Sequence, residues 1–106
     1  MTGNRPSSRE RIMYVELKTG HADDGPAWID RVRFSKSGRS VQFQGRELLN
    51  IGGSGIQGNY MDVETREEFW VSGVKKNRED RHWAGGGPVD INPAIRHEYE
   101  RLIEAI

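Results

Sequence analysis

The chain of 106 residues contains no cysteine, which excludes thiolate nucleophiles, zinc–thiolate sites and a disulfide framework. It has no apolar run approaching the roughly 20 residues of a membrane-spanning helix. The opening MTGNRPSSRER lacks the apolar segment of a secretory signal, so a cytoplasmic protein with no membrane partner is expected. Charge of one sign is missing too: 16 basic and 16 acidic residues leave a formal net charge of zero. That excludes a surface built as a whole for nucleic acid or an anionic membrane, and leaves open a local patch of either sign.

What is present suffices for one domain with a core of its own. Residues 1–10 are polar and read as a disordered tail, and 11–106 read as a single unit. From Arg11 the pattern alternates: Met13, Val15 and Leu17 share one face, while Tyr14, Glu16 and Lys18 share the other, as in a half-buried strand. TGHADDGP (19–26) is a loop by composition. A second strand over 27–35 turns Trp28, Val32 and Phe34 inward. Asp30 falls on the same face, as a buried polar partner or the mark of a bulge. Lys36-Ser37-Gly38-Arg39 reads as a hairpin turn, and a third strand over 40–44 points Val41 and Phe43 inward.

Leu48, Leu49 and Ile51 lead into a glycine-rich loop, after which strands are expected over 59–64, 68–76 and, briefly, 81–84. The 68–76 strand is apolar on both faces and should be the most buried. Asn92 suits a helix N-cap and Pro93 the first helical position. Ile95, Tyr99, Leu102 and Ile106 then recur at helical spacing as one apolar stripe. The expected fold is mainly β: a strongly bent antiparallel sheet or SH3-like barrel of five to six strands, with one C-terminal helix closing one end.

Three features invite a functional reading. Gly53-Ser54-Gly55-Ile56-Gln57-Gly58 spells G-x-G-x-x-G. That fingerprint holds a pyrophosphate only where it opens a helix, and here it opens a strand, so no dinucleotide cofactor is expected. The loop is then a tight connection or the flank of a ligand groove. Second, Lys75, Lys76, Arg78 and Arg81 lie beside Trp70, His82 and Trp83. Aromatic faces stack bases while cations meet phosphates, the combination small barrels use on single-stranded nucleic acid. A solvated hairpin tip with buried indoles is the plainer alternative. Third, of the histidines at 21, 82 and 97, His82 is the best acid–base candidate. His21 with Asp23 and Asp24 misses the spacing of a calcium loop, and no metal site is expected.

The runs GNYMDVET (58–65), EEFWVSGVKK (67–76) and DRHWAG (80–85), with GPAWI (25–29) and FSKSGR (34–39) before them, resemble a family of small bacterial proteins. The resemblance covers most of the chain after the tail. Members of the family often carry the label 1-deoxy-D-xylulose-5-phosphate synthase. A thiamine-diphosphate enzyme needs separate domains for the cofactor's two ends, and this length does not supply them, so that activity is not expected. Where the family typically shows Thr-Gly at a hairpin tip, this chain has Thr65-Arg66. If that glycine serves a positive-φ position, Arg66 is strained or the turn changes type.

The expectation is therefore a non-enzymatic binding module without a cofactor. Its partner surface combines the glycine loop (Gly53, Gly55, Gly58) with Tyr60, Trp70, Lys75, Lys76, Arg81, His82 and Trp83, and its partner is a protein or single-stranded nucleic acid. The alternative is a small hydrolase or nuclease using His82 and Lys75.

Overall fold

The computed structural model describes residues 9–19, 25–53, 58–78, 80 and 88–106. The strands are β1 (Glu10–Leu17), β2 (Ala27–Phe34), β3 (Ser40–Phe43), β4 (Arg46–Asn50), β5 (Tyr60–Asp62), β6 (Glu68–Gly73) and β7 (Val89–Ile91). A 3₁₀ turn (Pro93–Ile95) and the helix α1 (Arg96–Ala105) follow. The first six strands run antiparallel in the order β1-β6-β5-β4-β3-β2, and β2 pairs with β1 again to close the barrel. β7 adds to the start of β2 in parallel.

The barrel interior is the face predicted from alternation. Val15 of β1, Val32 of β2, Val41 and Phe43 of β3, and Phe69 and Val71 of β6 form one buried cluster. Trp28 stacks its ring 5.3 Å from Phe43 and 6.5 Å from Phe69, plugging the end where β2 begins. Beside the plug, Arg46 lies 5.4 Å over the Phe69 ring and binds Asp62 at 2.6 Å.

A second core forms outside the barrel. Tyr14, Ala27 and Ile29, on the outer face of β1 and β2, pack against Ile95, Tyr99 and Ile103. The helix therefore covers a flank of the barrel instead of closing an end. Its buried stripe runs Ile95–Tyr99–Ile103, a spacing of four, while Ile106 is 53% exposed. The Asn92 side chain accepts from the Ala94 N–H, as an N-cap should.

Two strand expectations need correction. Arg46–Asn50 is a full strand, joined to β3 through Gln44 and Gly45, both at positive φ as a tight hairpin turn requires. The 68–76 segment is not the most buried: β6 holds two buried residues, against three in β1 and four in β2. On β1 the helix covers Tyr14, on the face that alternation assigned to solvent. β6 itself ends at Gly73. The short strand expected over 81–84 lies outside the described residues.

Asp30 is the buried polar partner foreseen. It accepts from Gln44 Nε2 at 3.0 Å, Asn92 Nδ2 at 2.9 Å and the Arg31 N–H, filling the gap on β2 between the β3 and β7 pairings. At the β5–β6 tip Arg66 sits at φ 67, the conformation that favours glycine. Asp62 holds this turn by accepting from the N–H groups of Glu64 and Thr65.

Two outcomes follow from this turn. Arg66→Gly should leave stability unchanged or raise it by up to about 1 kcal/mol, while Arg66→Val should lower it by more than about 1 kcal/mol, as thermal melts would register. Burial pushes the Asp62 carboxyl up, but Arg46 and the two N–H groups outweigh it and hold the group below the usual carboxylate range. The stabilisation it lends is complete above the unfolded pKa near ~3.9 and is lost as pH falls through the lower folded value. Urea melts at neutral pH and near pH 3 should show Asp62→Asn less sensitive to acid than the unaltered protein.

Candidate functional site

Strand directions sort the loops into two ends. The register Glu10↔Arg33, Ser40↔Leu49, Asn50↔Tyr60 and Met13↔Gly73 gathers four segments at one end. These are the start of β1, the β2–β3 turn, the glycine loop after β4 and the segment after β6. Arg9, Arg11, Arg33, Lys36, Lys75 and Lys76 stand there, set against Glu10 and Asp80 among the described residues. The opposite end carries Glu16, Glu47, Asp62, Glu64, Glu67, Glu68 and Asp90, set against Lys18, Arg46 and Arg66 among the described residues. A chain of zero net charge is thus folded into a basic end and an acidic end.

The basic end also carries a groove. A groove of about 450 Å³ opens at the barrel mouth, with the half-buried Met13 and Phe34 as its apolar floor and Arg9, Arg11 and Lys36 around it. A smaller hollow of about 240 Å³ continues from it past Arg33 and Gln42. These side chains were missed from sequence. Arg9 reads as tail and Lys36 as turn, and only the antiparallel register brings Arg11 beside Val32 and Phe34.

Round the rim, on the outer face, a cleft of about 250 Å³ lies between β1 and β6. Trp70, Ser72 and Lys75 form one wall and Tyr14 the other, with Glu16 and Lys18 beneath. The Tyr14 hydroxyl donates to Glu16 Oε1 at 2.6 Å, and Lys18 Nζ lies 3.2 Å from Glu16 Oε2. Both charged side chains are almost wholly out of water, at 4% and 1% exposure, so each depends on the other for compensation.

The segment after β6 is fastened over this cleft. Asp80 Oδ1 accepts the Lys75 N–H at 2.6 Å, and burial pushes the Asp80 carboxyl above its usual range. Arg78, at positive φ, binds Glu100 on the helix and lies 5.6 Å over the Tyr99 ring.

The expected surface is only partly assembled. Trp70 is half-buried in the cleft wall, Lys75 is at its rim and Lys76 is exposed nearby. Tyr60 is removed from it: paired with Phe69 and 6% exposed, it points into the barrel core. Gly53 and Gly58 are structural. A Cβ on Gly53 would come within 1.8 Å of the Gly58 carbonyl oxygen, and one on Gly58 within 2.7 Å of the Phe69 carbonyl oxygen. They sit against each other at the neck of the segment that leads into β5, a strand. Asn59 locks the neck to β6, donating to the Val71 carbonyl and accepting the Val71 N–H, both at 2.8 Å. Gly55, Arg81, His82 and Trp83, with His21, lie outside the described residues, whereas His97 is exposed on the helix.

No family model, curated protein or solved structure matches this chain. The side chains alone carry the assignment. No helix among the described residues is long and apolar enough to cross a membrane.

The buried pair makes a clear energetic prediction. Lys18→Met removes a charge partner of the buried Glu16 carboxylate, which keeps its hydrogen bond from Tyr14, and should lower stability by up to roughly 3–5 kcal/mol, whereas adding Glu16→Gln should restore part of that loss. Chemical denaturation of the single and double variants measures both.

Proposed function

We propose that this protein is a non-enzymatic binding module that engages single-stranded nucleic acid through the basic end of its barrel. The observation that carries the reading is the segregation of charge in a chain whose formal net charge is zero. Uniform mixing of 16 basic and 16 acidic residues would leave no phosphate-binding surface. Gathering the cations round a hollow mouth that has aromatic and thioether walls supplies what such a ligand needs: neutralised phosphates and a face for bases.

A protein partner is less well served. β1, the strand nearest the groove, is paired on both sides, so no unpaired ladder is offered there for an added strand. The hydrolytic alternative keeps Lys75 but depends on His82, and no proton path is drawn through it. The resemblance to the small bacterial family fits this reading without adding to it.

The reading is tested by titrating the protein with a short single-stranded oligonucleotide at several salt concentrations. Log affinity should fall linearly with log salt. Lys36→Ala and Lys75→Ala should each flatten the slope by about 0.7, the loss of one phosphate contact on a single strand. Absence of binding at low salt would remove the nucleic-acid assignment.

A further inference from the structure

The mouth groove and the outer cleft are described above as separate hollows, yet the ladder joins them. Met13 lines the groove, Gly73 lines the cleft, and the two are cross-strand partners in the β1–β6 pair, a separation of about 5 Å. Beyond the end of that ladder, Arg11 borders the groove and Lys75 borders the cleft. The rim between them is bare. A Cβ built on Gly73 meets nothing within 4 Å, so the glycine is not demanded by packing, and its effect is to leave open space where a side chain would stand. The groove presents the half-buried Phe34 and the cleft the half-buried Trp70, which stands opposite the buried Tyr14.

We propose that single-stranded nucleic acid crosses the barrel rim at Gly73, with one base stacked on Phe34, another against Trp70, and the phosphates between them held by Arg11 and Lys75. This path rests on the nucleic-acid reading given above and makes it specific. Two aromatic surfaces, each beside a cation and separated by a bare rung, match an alternation of bases and phosphates. An acidic peptide would satisfy the cations and leave the ring faces unused.

Gly73→Leu is the sharpest variant, because the open space at that position predicts an unchanged or slightly raised melting temperature. Binding of an oligothymidylate of about eight nucleotides should nevertheless weaken at least about ten-fold, since leucine stands across the path. Phe34→Leu keeps an apolar side chain on the floor and removes the stacking face, and should also weaken binding about ten-fold. Its salt slope should match that of the unaltered protein, because no phosphate contact is lost. If the unaltered protein binds with a steep salt slope but both variants bind equally well, the path is wrong and the basic-end reading stands. If the unaltered protein does not bind, both fall. Preference for a polyglutamate peptide over the oligonucleotide at matched charge would also overturn the proposal.

Discussion

The structure depends on the double engagement of β1. It is hydrogen-bonded to β2 on one side and to β6 on the other. One of its faces fills the barrel and the other is sealed by α1 and the cleft residues. Closure of the barrel is this strand's work, since it joins the second strand of the chain to the sixth. Once those neighbours are fixed, the direction of every other strand fixes which loops share an end. Closure also explains a costly feature. Glu16 on β1 and Lys18 just beyond its end leave water together, and their contact at 3.2 Å offsets part of that cost.

Closure converts a balanced sequence into a dipolar object. The charges alternate along the chain in short runs, and a reading by composition averages them to nothing. Antiparallel pairing instead brings the start of β1, the end of β2 and the end of β6 to one rim, where arginine and lysine predominate. The other rim collects carboxylates and is plugged by Trp28, Phe43 and Phe69, with Arg46 and Asp62 beside them. One end of the barrel is acidic and filled by aromatic rings beside a hollow of about 150 Å³, the other is basic and opens into a groove of about 450 Å³. Several kT of potential difference between such ends would orient an approaching polyanion before contact.

Much of the fold was legible in the residues. The inward faces of β2, β3 and β6 follow from alternation and the helix start from Asn92 and Pro93, whereas the positive φ at Arg66 was anticipated only through the family resemblance. β4 was not legible, because Arg46–Asn50 places two leucines side by side instead of alternating them. Its turn also sets Gln44, which is no signature residue, at positive φ. The second face of β1 was hidden for a different reason: Tyr14, Glu16 and Lys18 look like a solvated edge, and nothing local reveals that a helix some 80 residues later covers part of it. Tyr60 was misplaced because it stands next to the glycine loop, although its rung is shared with Phe69. The mouth groove was invisible because its residues come from two segments far apart in the chain, 9–13 and 34–38.

The central claim is that barrel closure builds a ligand surface at the basic rim. Amide chemical-shift mapping with a short oligothymidylate tests it most directly, since it reports place as well as binding. The account predicts shifts concentrated at Arg11, Phe34, Lys36, Gly73 and Lys75, with the Gln44–Gly45 and Thr65–Arg66 turns unmoved. Shifts centred on those two turns, or spread evenly over the barrel, would contradict it.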